Sequence, residues 1–442
     1  VSTANHLGAP ASDLSPTLAS SMAGSGALRA LRAEAASRLE NTRMPTEALE
    51  DWRYSRISSL DLAQFCLVQE PPSVPPDREG TLASRLESAV SPDLVLRSLD
   101  GHFLAPPEAP EPLELQGEGL LGADDLGADE LYQDFFALLN RAFAPAPLGL
   151  RVRAGQARKV VVEHWVSADS ALVLPRLEVE LEPGASLSLL EVLSGPGASL
   201  VVPVSRFELA DRARLDYLVL QDLAPRAWQL GLAYARLGAE ADLALFAAAL
   251  GGHYARLRTV SVLEGQASSG RLGALYFAAG DQMHDFRTLQ AHLGRRSRSE
   301  LLYKGVVANS ARSVYSGLIR VEKGAAGTNA FQTNRNLVLH EGAHADSVPN
   351  LEIEDNDVRC SHASAVGPVD PDQLFYLESR GVPTPAAERL IALGFLGEVL
   401  DALPIPEAAG VLRQAIAAKL DRAEATQREL ALGGDSTTGG AR

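Results

Sequence analysis

The chain is short of the residues that usually announce chemistry. Of 442 residues, two are cysteine, three methionine, three tryptophan and nine histidine. Two thiols, Cys66 and Cys360, make no disulfide framework and read as reduced cysteines. No run of eighteen apolar residues is there to cross a membrane. Residues 1–28 lack a charged start followed by an apolar stretch and a cleavage site, so a cytoplasmic location is expected. Positive charge is in the minority: 40 Lys and Arg stand against 56 Asp and Glu, for a net charge of −16. Phosphate recognition needs clustered Lys and Arg, so nucleic acid is excluded as a main partner. The balance suits electrostatically selected protein partners. Catalytic signatures are missing as well. There is no G-x-x-x-x-G-K-[ST], no G-x-G-x-x-G after a strand, no G-x-S-x-G and no H-E-x-x-H. The chain is not expected to hydrolyse ATP.

What is present divides the sequence into three parts. Residues 1–149 read as a mixed, largely helical region. The first twenty-five, rich in Ser, Ala, Gly and Pro, read as loose; Gly26 to Glu50 reads as helix broken near Pro45, and Ala128 to Arg141 as an amphipathic helix. Leu60 to Val68 fits a short helix or strand, and Pro71–Pro76 and Pro106–Pro112 read as irregular connections. From about Leu150 short strand-like pieces recur, from Lys159–Trp165 through Ser186–Leu193, Arg214–Leu220 and Leu301–Val307 to Leu351–Glu354. Turn segments fall at Gly184, Asp211, Ala239, Ala267 and Arg295, about 28 residues apart. Such a period suits a parallel β-helix over 150–375, each coil burying its apolar face on the next. An antiparallel sandwich would give many similar strands. In 376–442 the period becomes helical, over Thr384–Val399 and, past Pro404 and Pro406, over Glu407–Leu430.

Candidate chemistry is sparse. His102, His164 and His253 read as surface or hydrogen-bonded. His340 with His344, and His284 with His292 on two neighbouring strand-like pieces, are weak metal pairs. Asp355, Asp357, Asp370 and Asp372 offer an acidic grouping, although each also suits a turn. The run Arg295-Arg296-Ser297-Arg298 reads as solvated surface. On an extended strand Val358, Cys360, His362 and Ser364 share a face. A lone Cys-x-His pair cannot complete a four-ligand zinc site and, taken alone, reads as packing.

The surrounding residues resemble a family. Val358-Arg359-Cys360-Ser361-His362-Ala363-Ser364-Ala365-Val366-Gly367, then Asp370, Asp372-Gln373-Leu374-Phe375-Tyr376-Leu377 and Ser379-Arg380-Gly381-Val382, are similar to the C-terminal signature of the SufB/SufD family of iron–sulfur cluster assembly proteins. Glu50-Asp51-Trp52-Arg53-Tyr54-Ser55 resembles its N-terminal signature, and Thr333-Asn334-Arg335-Asn336-Leu337-Val338-Leu339 its Q-x-N-x-N-L-x-L segment. The departures are Ala363 in place of Gly and Ser364-Ala365 in place of a Thr-Val-like pair. Leu377 stands where a SufB-type cysteine would fall, so the likeness is greatest to SufD.

The resemblance implies a mainly β fold: a right-handed parallel β-helix with N-terminal mixed and C-terminal helical flanks. It implies a non-catalytic scaffold subunit of an ATPase-containing assembly complex. A SufB-like chain would pair at the β-helix edge, and a SufC-like ATPase would dock on the C-terminal helices. His362 and Cys360 would then be the cofactor-binding residues, His362 as the iron ligand for a nascent cluster shared with the partner and Cys360 beside it, either ligating or packing. No cofactor is expected to stay on the isolated chain; the cluster is transient, reduced flavin is associated with the family complex, and self-dimerisation of the isolated chain is compatible with these expectations. Two other readings compete: a SufB-like cluster-carrying scaffold, disfavoured by the thiol count, and a β-helix carbohydrate-active enzyme, disfavoured by charge.

Overall fold

A computed structural model describes residues 7–68, 70, 78–104, 111, 113–118, 134–145 and 147–434. Its centre is a parallel β-solenoid in which successive long strands alternate between two sheets. One sheet runs, from its C-terminal end, through Val358–Gly367, Thr328–Val338, Arg298–Val307, Ser269–Ala278, Asp242–Ala249, Arg214–Leu223, Ser186–Gly195 and Ala157–Trp165. The facing sheet runs through His344–Ile353, Arg312–Val321, Met283–His292, Tyr254–Leu263 and Trp228–Leu237 and continues in shorter strands. Every long neighbour pair is parallel, which excludes the antiparallel sandwich.

The coil period is that of the turns. Arg214 stacks between Ser186 and Asp242, 28 residues away on either side. At the corners Gly184, Arg212, Glu240, Ala267 and Arg296 all take positive φ. Their N–H groups donate to Asp211, Ala239, Gln266, Arg295 and Ala326 of the next coil at 2.8–3.0 Å. A ladder of backbone bonds therefore runs down the corner, satisfying groups that a turn would otherwise leave unpaired.

Inward residues of the early coils are Leu, Val and Ala, and they form one continuous core with Leu187, Leu215, Leu243 and Leu272. The outer face of the first sheet is covered by Leu82–Val90, Thr384–Asp401 and Ala409–Gly434, whose Leu396, Leu412 and Ile416 meet Leu275, Phe277 and Val306. On the facing sheet, the Glu50–Trp52 turn is clamped by two arginines: Arg256 Nη2 donates to Asp51 O and Arg287 Nη2 to Arg53 O, each at 2.7 Å.

Several sequence expectations change. The described part of the N-terminal segment holds a strand at Leu7–Pro10 and a Ser15-capped helix at Pro16–Ser21. The next helix ends at Glu40, before Pro45. The helix placed at Ala128–Arg141 is observed over Phe135–Phe143, started by the Asp134 cap; its first residues, Pro71–Pro76 and most of Pro106–Pro112 lie outside the described residues. The strand stack ends at Gly367, and Pro371–Ser379 is helical, so the stack stops short of 375. His284 and His292 lie on one strand, Met283–His292, rather than two. Among the described residues no helix is long and apolar enough to cross a membrane.

Candidate functional site

The solenoid is open at its C-terminal end. Among the described residues, Val358–Gly367 pairs only with Thr328–Val338, and His344–Ile353 only with Arg312–Val321. Consecutive strands thus leave one bare edge on each sheet at the same end. Exposure follows: Met283–His292 is buried throughout, whereas Ser361 to Val366 are all exposed. Such edges are normally blunted, because unpaired N–H and C=O groups template further pairing.

Val358, Cys360, His362 and Ser364 occupy one face of this last strand, in register with Thr328, Ala330, Gln332 and Asn334. The pattern i, i+2 placed them there from sequence, and their surroundings then differ. Cys360 is half-buried against the cluster of Ile319, Val321, Ala325 and Ala330. Burial pushes its thiol upward, only partly offset by a hydrogen bond with the Ala330 backbone, so the neutral form is favoured. His362 is exposed one step further out, and no side-chain hydrogen bond holds it among the described residues. Ser364 Oγ donates to Ser347 Oγ across the two sheets at 2.8 Å. Cys66 and Cys360 are both free, on strands at opposite ends of the solenoid.

The remaining candidates do not assemble. Asp355 accepts from Gly324 N and Asp357 N, and Asp370 caps the helix Pro371–Ser379 through Asp372 N; these are turn and cap roles at separate places. His340 Nδ1 accepts from Asn309 N, while His344 Nε2 meets Asp346 Oδ1 at 3.2 Å. His284 faces Gly251 O, and His292 sits between Ser297 and Ser299. Buried His164 bridges Ser98 and Glu191, His102 meets Val68 O, and His253 meets Arg56. Arg295, Arg296 and Arg298 are exposed around a buried Ser297. Among the described residues no three His, Cys, Asp or Glu side chains converge as a metal group.

The C-terminal helices are pinned by lysines. Lys419 Nζ, buried, donates to Leu250 O, Phe277 O and Gln282 Oε1, and Lys304 Nζ donates to Phe395 O. Against this anchored pair, the helix Pro371–Ser379 buries nothing of its own. Phe375 is 71% and Tyr376 58% exposed, with Leu390 exposed nearby in sequence on the next helix. From sequence Phe375 and Tyr376 stood only as part of the family signature, with no surface role. Sequence reading also began the Q-x-N-x-N segment at Thr333, leaving out Gln332, which lies directly beside His362 in the ladder.

Residues 164–395 match the family model described as SUF system FeS cluster assembly, SufBD core domain. An iron–sulfur cluster assembly SufBD family protein of Mycobacterium tuberculosis is 35% identical over 268 residues, 59% of this chain and 67% of that protein. The iron–sulfur cluster assembly protein SufD of Escherichia coli is 28% identical over 375 residues, 83% of this chain and 86% of its own length. SufD of Bacillus subtilis is 41% identical over 154 residues, 35% of each chain.

Proposed function

The chain belongs to the SufB/SufD family of iron–sulfur cluster assembly proteins and is most like SufD within it; from that premise we propose a non-catalytic scaffold subunit that works at its open solenoid end. The observation that carries the reading is the placement of His362, exposed on a strand whose outer edge is bare. A SufB-like chain pairs along the edges of Val358–Gly367 and His344–Ile353, satisfying backbone groups that have no strand partner among the described residues. Exposed Ile353 and Val366 supply apolar contact to that seam.

The nascent cluster is cargo held between the two subunits. Imidazole is a competent iron ligand, but iron–sulfur sites rest mainly on thiolates. His362 therefore supplies one nitrogen and the partner supplies sulfur. Cys360, packed against Ile319, Val321 and Ala330, holds the strand beneath His362. A SufC-like ATPase docks on the C-terminal helices, where Phe375, Tyr376 and Leu390 stand exposed. No residue is assigned to flavin.

The test is co-purification of the chain with SufB-like and SufC-like proteins, followed by iron and acid-labile sulfide analysis. His362→Ala is expected to leave the complex assembled and its melting temperature nearly unchanged while cluster content falls several-fold. Normal loading in that variant rejects the direct role of His362.

A further inference from the structure

The interior of the solenoid changes character one coil before its open end. Early coils are filled mainly with Leu and Val around one buried His164–Glu191–Tyr217 group, but Thr328–Val338 turns three amides, Gln332, Asn334 and Asn336, inward, all buried, with Phe331 and Arg335 outward. Three amides inside a dry core are unfavourable unless every polar atom is engaged. Here they are. Gln332 Oε1 accepts from Tyr315 Oη at 3.0 Å, and Nε2 donates to Asn350 O at 3.3 Å. Asn336 Nδ2 donates to Asn334 Oδ1 at 2.8 Å, while Asn336 Oδ1 accepts from Tyr276 Oη at 2.7 Å and from Ser313 Oγ at 3.2 Å. Asn334 Nδ2 donates to Tyr276 Oη at 3.1 Å. Thr288 Oγ1 extends the Gln332 group, 3.2 Å from Tyr315 Oη.

Space for this network is built in. A Cβ at Gly317 would overlap the Tyr315 hydroxyl and lie 2.8 Å from Gln332 Oε1. Each amide oxygen and nitrogen has at least one partner inside the protein, so the chain itself satisfies the plate. What it does is tie the two sheets together. Tyr315, Ser313 and Asn350 belong to one sheet and the amides to the other. The next strand has no coil beyond it, and its His362 and Ser364 stand in register with Gln332 and Asn334, one strand spacing of about 4.8 Å away.

We propose that Gln332, Asn334 and Asn336 are positioning residues: their hydrogen-bonded plate fixes the last closed coil, and thereby the place and orientation of His362 on the open end. The inference deepens the reading of His362 as a cluster ligand and rests on it for function, though not for geometry.

The test uses the full chain with Gln332→Leu and Tyr315→Phe. In the isolated chain, the imidazole resonances of His362, identified by their loss in His362→Ala, are expected to shift or broaden in both variants. Those of His102 and His164 stay in place, which a general loss of structure would not allow. In the complex with SufB-like and SufC-like chains, both variants assemble normally but carry several-fold less iron and sulfide. If Gln332→Leu does not fold, Tyr315→Phe, which removes one oxygen and keeps the ring, decides. An unmoved His362 resonance in a folded variant overturns the positioning role, as does normal loading when His362→Ala is impaired. Normal loading in His362→Ala instead overturns the ligand reading and leaves the resonances to judge positioning.

Discussion

The Arg256 guanidinium lies 3.8 Å from the ring centroid of Trp52, a cation–π contact on the outer face of the solenoid. The same arginine donates to Asp51 O and to Asp285 Oδ2, so one side chain joins the N-terminal signature segment to the sheet. Asp285 is the hub. Its carboxylate is fully buried and accepts from Arg256, Arg287 and Tyr254 at 2.6–2.9 Å. Burial alone would raise its pKa, but the two guanidiniums hold it below the usual carboxylate range.

Removing that hub leaves two buried cations facing each other. Asp285→Ala is expected to cost about 3–5 kcal/mol, the cost of breaking a buried ion pair by deleting one partner. Equilibrium urea unfolding measures it. A loss below about 1 kcal/mol would mean that water reaches the arginines and that the clamp is a surface feature.

Acid should weaken the fold through its buried histidines. Burial, helped by the positive charge of Lys419, lowers His284 to about 3, and burial lowers His292 to about 4. Unfolded histidine titrates near 6.5. Between about pH 6.5 and 4 the unfolded chain therefore binds protons that the native chain refuses, so stability is full above that window and falls as pH falls through it. The combined loss by pH 4 is on the order of a few kcal/mol. His284→Gln should flatten the pH dependence of the urea midpoint across this window. An unchanged slope would show that His284 is protonated in the native state.

The solenoid was legible at its corners and in strands of both sheets. Turn residues at Gly184, Asp211, Ala239, Ala267 and Arg295 fall at the observed corners, because a stacked coil must return to the same place each time. Arg176–Leu181, Arg214–Leu223 and Arg298–Val307 carry enough Leu and Val to read as strands. Tyr254–Leu263 did not, and Met283–His292 read as two pieces rather than one, since Arg256, Arg258, Asp285, Arg287 and Gln290 interrupt their apolar pattern. Of these, Arg256 and Arg287 are buried by partners remote in sequence, such as the Glu50–Trp52 turn, and no local window contains that information. At the site, period-2 alternation placed Cys360 and His362 on one face correctly. It could not separate the packed thiol from the exposed imidazole, because that depends on where the stack stops. The Q-x-N-x-N segment stood out as a motif, but its function as an amide plate needed the facing strand.

The docking helices call for a finer probe than truncation. Deleting Thr384 onward would uncover Leu275, Phe277 and Val306 and leave Leu250 O and Phe277 O without Lys419, so loss of binding and loss of fold would arrive together. Phe375 and Tyr376 avoid this, because the helix that carries them buries no residue. Exposed aromatic side chains are the usual anchors of protein interfaces, and losing one costs upward of 2 kcal/mol in binding. The double substitution Phe375→Ser with Tyr376→Ser is expected to weaken SufC-like ATPase binding at least thirtyfold, roughly 2 kcal/mol. Its melting temperature should stay within about 2 °C of the parent, as surface changes away from packed contacts usually move stability by under ~0.5 kcal/mol. Titration calorimetry against the ATPase, paired with a thermal melt, reads both quantities. Full affinity in a folded double variant would move the dock away from this helix and onto the faces of Thr384–Asp401 and Ala409–Gly434 that remain exposed.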